Sequence, residues 1–442
     1  MRSISAASLR RHVPAMWSLG SRILGGVSVL LVNVALARRL GPADFGTVAV
    51  VTSVSMFGAL IVCGGTSRVL LRSIAGSLGT DSEHLIDIDL AIARRVLLVT
   101  LPMGALVTFL MSAYFIRRAE DAWSASLAGA FVAIGAGLMF YMADVLRGLG
   151  EVRLANLGAG RNGGALATGL FMVLLLVTGN DLLSSTGALG LNIVALIVSL
   201  AASLLVYRRF RPQFPTRSDA VDRSVQRLFI ISSMTFLGTQ LAMYVASQID
   251  LWVGSSNLPE ASVGVYAAAL RLMGMVSMPL VAAQLMFSAP IARLWAQRNP
   301  AELEVMVRRT VTVIAVPSLV ILVPCVLFPG EILSLLYGKR YSTGGFVLAV
   351  LALAQIVNVL TGLCGTVLGM CGKESLLLRT ALLWSVLSLV FDLLGVRLFG
   401  IRGLAVASAL TSSGQFLMLW LIARMTLRIW THPGWPARLP KD

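Results

Sequence analysis

The residues Arg39 to Gly46 read RLGPADFG and interrupt an apolar chain early. Apolar runs precede and follow this stretch, so its proline ends one helix and glycine supplies a turn before the next helix. A related stretch, LPEASVGVYA (Leu258 to Ala267), follows LGPADFGTVA (Leu40 to Ala49) after about half the length of the chain. Proline, glycine and alanine recur in the same order, which indicates that one folding unit occurs twice.

Two further pairs of stretches support an internal repeat. VLRGLGE (Val145 to Glu151) resembles VLGMCGK (Val367 to Lys373). GALGLNIVALIVS (Gly187 to Ser199) resembles GIRGLAVASALTS (Gly400 to Ser412). In both pairs the second stretch again follows the first after about half the length of the chain. Three pairs at nearly the same offset predict that the chain consists of two structurally similar halves.

The composition places both halves in a membrane. Of the 442 residues, 57% are hydrophobic and 13% are charged, whereas soluble domains carry about 25% charged residues. Twelve apolar runs are long enough to cross a hydrocarbon core of about 30 Å, and in lipid the backbone must bond within its own segment. We therefore predict an all-α polytopic membrane protein with twelve transmembrane helices in two pseudo-symmetric six-helix bundles. The predicted spans are residues 16–36, 47–67, 93–113, 123–143, 162–179, 187–207, 228–249, 262–287, 310–328, 345–368, 376–394 and 403–423.

The distribution of basic residues predicts the orientation. Lysine and arginine number 26 in the amino terminus, every second connection and the carboxyl tail, against 8 in the alternate connections. Basic residues stay on the cytoplasmic side, so both termini are predicted to be cytoplasmic. The net charge of +16 reflects this topology and gives no reason to expect nucleic acid as a partner. The predicted parts are an N-terminal bundle at 1–207, a cytoplasmic basic linker at 208–227, a C-terminal bundle at 228–424 and a cytoplasmic basic tail at 425–442.

Four motifs together resemble a known family. They are ARRLGPADFG at 37–46, SRVLLRSIA at 67–75, VGVYAAALRL at 263–272 and LLYGKRYSTGG at 335–345. Their order and spacing resemble the polysaccharide transporter, or Wzx-type, branch of the multidrug/oligosaccharidyl-lipid/polysaccharide exporter superfamily. The resemblance implies a flippase of the bacterial inner membrane that moves a polyprenyl-pyrophosphate-linked oligosaccharide from the cytoplasmic to the periplasmic leaflet by alternating access. It would serve O-antigen (lipopolysaccharide), capsule or exopolysaccharide assembly. Implied partners are the lipid-linked oligosaccharide, membrane lipid, and a polysaccharide polymerase with its chain-length regulator.

A transported pyrophosphate needs fixed cations, because moving each unit charge into hydrocarbon costs on the order of 20 kcal/mol. Arg271 and Arg22 are the basic residues that lie more than four residues inside the predicted spans. Arg271 lies at least nine residues, or roughly 14 Å, from either end of its span. It is predicted either to line a hydrated substrate cavity or to pair with Asp250 or a helix carbonyl. Arg22 lies nearer the end of its span, and either lines the cavity or snorkels to the cytoplasmic surface.

Other polar side chains inside the spans are candidates for ion coupling and sugar binding. Asp250 and Asp392 are candidates to carry a coupling proton or sodium ion, and no other cofactor is expected. Alternatively, Asp250 meets headgroup water and Asp392 pairs with Arg397. Two helical faces carry polar stripes, which either line the sugar path or hold helices together. The stripes are Gln240, Tyr244 and Gln248 on one helix and Gln355, Asn358 and Gly362 on another.

Rival functions are less well supported by the sequence. A multidrug-type cation antiporter of the same superfamily would hold its substrate with buried acids, whereas the deep charges here are chiefly arginines. A membrane glycosyltransferase, polymerase or ligase would present a sizeable outer loop, and no outward connection exceeds about twenty residues. SRILG (Ser21 to Gly25) resembles the first helix of lipid II flippases, but Ser28 and Val29 replace the Arg-Asp pair that follows there. The chain is therefore not expected to be an enzyme. No metal is expected either, since the histidines and cysteines lack metal-ligand spacing.

Overall fold

A computed structural model of the chain describes residues 6–77, 84–151, 155, 164–179, 183–210 and 223–435. All regular structure in these ranges is helical, which confirms the predicted all-α class. A 3₁₀ turn, Lys339–Gly344, lies between the eleventh and twelfth helices. The helices are α1 Ala6–Cys63, α2 Thr66–Ser77, α3 His84–Phe115, α4 Ala122–Gly148, α5 Gly164–Val177, α6 Ser185–Phe210, α7 Arg223–Asn257, α8 Glu260–Val276, α9 Met278–Ala296, α10 Pro300–Leu327, α11 Pro329–Tyr337, α12 Gly345–Thr361, α13 Cys364–Met370 and α14 Glu374–Leu427.

Two glycines divide the longest helices into two arms each. Gly41 in α1 has φ 79° and Gly400 in α14 has φ 59°. This left-handed conformation costs glycine little and breaks the helical hydrogen-bond ladder. Pro42 follows Gly41 and lacks the N–H group that the ladder would need. The turn predicted at RLGPADFG is therefore confirmed, with a helical arm on either side of it.

The helices are long and apolar enough for a multi-pass membrane protein. Within the described ranges, eight helices satisfy length and hydropathy for a crossing, and the pair α8 and α9, bent by 44°, provides a ninth. The kinks in α1 and α14 add an arm each, and α5, with 14 residues, is a shorter apolar helix. These segments correspond one by one to the twelve predicted spans.

Three spans depart from their predicted form. The span predicted at 262–287 is not one straight helix, because Pro279 in the first turn of α9 cannot donate a backbone hydrogen bond across the break. The span predicted at 345–368 ends at Thr361, since Gly362 adopts φ 74°. The helix containing the third span begins at His84, nine residues before the predicted start of the crossing.

The outer surface of α3 illustrates why the fold requires lipid. Leu98 is 77% exposed and Leu106 58% exposed, whereas Thr100 and Thr108 on the same helix are buried. A soluble protein would bury the leucines instead. The buried hydroxyls donate to carbonyls, Thr100 Oγ1 to Val62 O at 2.7 Å, so polar groups hold the helices together away from the acyl chains.

Packing divides the chain into two compact units. Unit 1 contains residues 1–40 and 47–245, and unit 2 contains residues 41–46 and 246–442. The division falls inside α7 and not in the basic stretch 208–227, of which 211–222 lie outside the described residues. The short segment GPADFG at 41–46 therefore packs with the second half of the chain.

In unit 2 the two copies of the repeated stretch contact each other through glycine. A Cβ atom on Gly46 would lie 2.8 Å from the Gly264 nitrogen, and a Cβ on Gly264 would lie 1.8 Å from the Pro42 oxygen. These glycines occupy equivalent positions in the two copies. Phe45 packs beside Tyr341 with ring centroids 6.2 Å apart. The stretch that signals the repeat is thus also a backbone contact that tolerates no side chain.

A second pair of glycines supports the repeat. Gly150 has φ 86° and Gly372 has φ 75°, and they lie at equivalent positions in VLRGLGE and VLGMCGK. Both follow the end of a helix, where a left-handed glycine closes the last turn. The two halves therefore use the same backbone turn at this place.

Candidate functional site

A cluster of three charged side chains lies in unit 1, where α2 begins and α4 ends. Asp144 accepts a hydrogen bond from Arg147 Nη1 at 2.9 Å through Oδ1. Its other oxygen, Oδ2, lies 3.6 Å from Arg68 Nε. The Asp144 side chain is 7% exposed, against 33% for Arg68 and 20% for Arg147. One buried carboxylate is thus shared by two half-buried guanidinium groups.

The three charges border a small, partly open cavity. The rest of the wall comes from α1, α2, α4 and α7. Gln240, predicted to line the substrate path, contributes from α7, so one member of the first polar stripe does line a cavity. The remaining lining residues are Leu60, Cys63, Ser67, Phe140 and Ala143.

Local sequence explains why the charges meet. Gly64 and Gly65, with φ 55° and 69°, turn the chain sharply after α1, and Thr66 Oγ1 donates to the Cys63 carbonyl at 2.7 Å. A Cβ on Gly65 would lie 2.0 Å from the Ser233 oxygen, so α7 packs directly on this turn. On α4, Arg147 follows Asp144 by three residues, the spacing at which helical side chains face each other.

Unit 2 contains a hydroxyl network around Asp250. Asp250 is 8% exposed, and its carboxylate accepts from Tyr266 Oη at 2.8 Å and from Ser408 Oγ at 3.1 Å. The Leu251 N–H donates to the other oxygen at 2.8 Å. The alternative that Asp250 meets headgroup water is therefore wrong. The sequence placed this acid at a helix end and did not reveal that α8 and α14 cover it.

Asp392 is fully buried in the same unit. Ser388 Oγ donates to Oδ2 at 2.8 Å, whereas Oδ1 has no hydrogen-bond partner in the part of the chain that the structure describes. Arg397 is exposed, and no ion pair joins it to Asp392 among the described residues, so the predicted alternative pairing is wrong. A buried carboxylate with a vacant oxygen is costly unless it holds a proton or a cation.

Arg271 lies half-buried in the second half of α8, five residues before that helix ends. Over the described ranges no carboxylate lies within ion-pair distance of its guanidinium, and Asp250 is bound by hydroxyls instead. The predicted alternative of a pair with Asp250 is wrong. Burial raises the pKa of Tyr337, and the nearby positive charge of Arg271 acts in the opposite direction. Arg271 is thus near enough to Tyr337 for its charge to act on that hydroxyl, and no acid among the described residues pairs with it.

The other predicted site residues are dispersed. Tyr244 Oη donates to the Ser53 carbonyl at 2.9 Å, so it holds α7 against α1. Gln248 Nε2 donates to the carbonyl of its neighbour on α7 at 2.9 Å. The buried Nε2 of Gln355 has no partner among the residues described.

Two further predicted residues add little to these clusters. Asn358 is half-buried, and its backbone oxygen accepts from Gly362 at 3.2 Å, where α12 ends. Arg22 belongs to α1, but its side chain lies outside the described part of the structure.

Sequence reasoning missed the Arg68, Asp144 and Arg147 cluster. These residues lie at helix ends, where arginines are expected as topology determinants. A usable signal was present in the repeat, because the positions of Asp144 and Arg147 are occupied by Thr366 and Gly369 in the second copy. The charges therefore belong to one half only.

Two family profiles and one curated relative match this chain. The profile of a family described as polysaccharide biosynthesis protein matches residues 15–290, and the MatE profile matches residues 236–394. A probable low-salt glycan biosynthesis flippase, Agl15, of Haloferax volcanii is 25% identical over 252 residues, covering 53% of this chain and 49% of the relative. The chain thus spans about half the length of the curated relative it matches.

Solved structures share the architecture over nearly the whole chain. An inward-facing multidrug resistance MATE family transporter of the MOP superfamily has a TM-score of 0.77 at 15% identity, covering 94% of this chain and 98% of that one. A MOP superfamily transporter from Pyrococcus furiosus, described as having a binding pocket of reverse polarity, has a TM-score of 0.59 at 16% identity, with coverages of 93% and 95%. The predicted superfamily fold is confirmed.

Proposed function

This chain belongs to the polysaccharide biosynthesis protein family, and on that premise we propose that it is a flippase for a polyprenyl-pyrophosphate-linked oligosaccharide. It would work by alternating access, moving the lipid from the cytoplasmic to the periplasmic leaflet of a bacterial inner membrane with both termini cytoplasmic. The product would enter O-antigen, capsule or exopolysaccharide assembly. The relative from Haloferax volcanii, described as a probable glycan biosynthesis flippase, supports this class of substrate.

The observation that carries the proposal is the position of Arg271. An arginine facing lipid at mid-membrane costs at least about 3 kcal/mol, and this one has no acidic partner among the described residues to offset that cost. A hydrated cavity that receives an anion removes the penalty. At about 4 Å and an effective dielectric near 20, each arginine stabilises a unit negative charge by about 4 kcal/mol. Its planar fork also fits phosphate oxygens.

We further propose that the buried acids of unit 2 couple transport to an ion gradient. Asp392 has an unbonded buried oxygen, and Asp250 collects its hydrogen bonds from hydroxyls and a backbone amide. Such sites take up a proton or sodium ion when the surroundings open and release it when they close. The same acids would suit a multidrug-type cation antiporter, which is the rival function.

Complementation of a deletion strain tests the proposal. The expected result is that Arg271→Ala inserts normally but loses surface polysaccharide and accumulates the lipid-linked precursor on the cytoplasmic side. Arg397→Ala is the matched control, because it removes an exposed arginine from the same unit. Arg271→Lys should restore only part of the export, since lysine keeps the charge but not the fork.

Two results would count against the flippase assignment. One is full export by Arg271→Ala. The other is normal surface polysaccharide in the deletion strain together with increased sensitivity to cationic drugs, which would favour the antiporter.

A further inference from the structure

The Arg68, Asp144 and Arg147 cluster in unit 1 is not used by the function proposed above. We propose that it is a second anion site, in which the two arginines bind the phosphate groups of a pyrophosphate-bearing lipid and Asp144 occupies them until that anion arrives. This inference rests on the proposed function for its choice of lipid. It concerns a different unit from the one that contains Arg271.

The donors are suitable for a phosphate. Asp144 engages Arg68 only through Nε, at 3.6 Å, and no hydrogen bond to the Arg68 Nη groups is found among the described residues. Those groups belong to a side chain that is one-third exposed and borders the cavity. Ser67 and Gln240, on the same wall, carry further N–H and O–H donors. Guanidinium groups form charge-assisted hydrogen bonds with phosphate oxygens, which suits these donors to an anion.

The repeat argues that the charges are not needed to build the fold. In the second copy the equivalent helix, α13, ends at Met370 and is followed by the same left-handed glycine turn. There Thr366 and Gly369 replace Asp144 and Arg147. The architecture therefore forms this helix end without an ion pair. A buried ion pair adds little net stability compared with apolar residues, so stability alone does not account for the cluster.

Asp144 has a definite role in this site. Its carboxylate accepts from Arg147 Nη1 and lies beside Arg68 Nε, so it holds both arginines in position and, as a negative charge next to them, also competes with an anionic ligand. Removal of the carboxylate should then increase the affinity for an anion. A purely structural ion pair predicts the opposite, because loss of Asp144 would release the arginines from their orientation.

Binding of inorganic pyrophosphate to the purified full-length protein in detergent tests the proposal by isothermal titration. Every protein carries Arg271→Ala, so that binding in unit 2 does not contribute. Arg68→Gln and Arg147→Gln should each weaken binding by about tenfold or more. Arg72→Gln, one turn further along α2 and exposed, should leave affinity within about twofold.

Asp144→Asn is the decisive variant and should tighten binding by about tenfold. If a glutamine variant is misfolded and does not elute as a single peak in size exclusion, Asp144→Asn still provides a test of the site. Weaker binding by Asp144→Asn, equal losses for Arg72→Gln and Arg68→Gln, or no binding by the parent protein would each overturn the site.

Competition identifies the source of the phosphate. Farnesyl pyrophosphate should displace inorganic pyrophosphate, whereas phosphatidylglycerol in mixed micelles should not. Equal displacement by phosphatidylglycerol would assign the site to bulk lipid and refute the role in substrate recognition. Since this assay involves no transport, a failure of the flippase function leaves the binding result readable on its own.

Discussion

Replacement of Gly264 by alanine tests the contact between the two copies of the repeated stretch. The new Cβ atom would lie 1.8 Å from the Pro42 oxygen and 2.7 Å from the Pro42 carbonyl carbon, although real Cβ contacts stay beyond 3.0 Å. The neighbouring backbone would therefore have to move by more than an ångström to remove the overlap with the oxygen. Because the obstacle is backbone and not a flexible side chain, no rotamer change relieves it.

The expected cost follows from two opposing terms. Overpacking costs about 3 kcal/mol at the upper end of its usual range, and alanine in a helix recovers about 1 kcal/mol relative to glycine. The net loss of about 2 kcal/mol corresponds to a fall in melting temperature of about 4–8 °C for a unit of this size. Gly274→Ala is the matched control on the same helix, since a Cβ there meets nothing within 4 Å. That variant should melt slightly above wild type.

Fluorescence-detected size exclusion after heating, in one detergent for all variants, provides the measurement. Gly264→Ala and Gly46→Ala should both melt below wild type, and Gly274→Ala should not. If Gly264→Ala melted at or above the wild-type temperature, the close approach of the two glycines would be refuted. The interpretation of RLGPADFG as an interhelical contact would then be wrong.

Three other substitutions test separate contacts. Tyr244→Phe removes a hydrogen bond to the α1 backbone and should cost about 1 kcal/mol of stability with export intact; lost export at unchanged stability would return Tyr244 to the substrate path. Asp392→Asn should abolish the dependence of export on a proton or sodium gradient, and unaltered dependence would exclude Asp392 from coupling. Burial, followed by the charge of Arg308, lowers the pKa of His432 from its ordinary 6.5, with Glu304 acting oppositely. The stability gained from neutral His432 is complete above pH 6.5 and is lost as pH falls below it. His432→Asn should therefore reduce the loss of melting temperature on acidification to about pH 5.5, and an unchanged loss would show that another group is responsible.

Hydropathy and glycine placement were sufficient to predict much of the fold. The hydropathy of a segment indicates whether it lies in lipid or in water. The twelve apolar segments and the helical class can therefore be predicted without tertiary information. The Gly41 kink and the equivalent turns at Gly150 and Gly372 follow from backbone preferences that belong to single residues. These are local properties, and the structure agrees with them.

The site residues were less predictable, because burial and pairing depend on which helix comes alongside. Asp250 lies near a helix end in sequence, yet Tyr266 and Ser408 cover it from two other helices. Tyr244 shares a helical face with Gln240 but bonds to the α1 backbone, whereas Gln240 borders a cavity.

The sequence by itself determined which segments lie in lipid, the helical class and the internal repeat. Only the tertiary structure decided that Arg68 joins the Asp144–Arg147 pair, and that Gly46 meets Gly264. The physical reason is the distance along the sequence over which each property is set. Hydropathy and backbone conformation depend on residues that are close together in the chain. An ion pair or a close backbone contact instead joins groups that are tens to hundreds of residues apart.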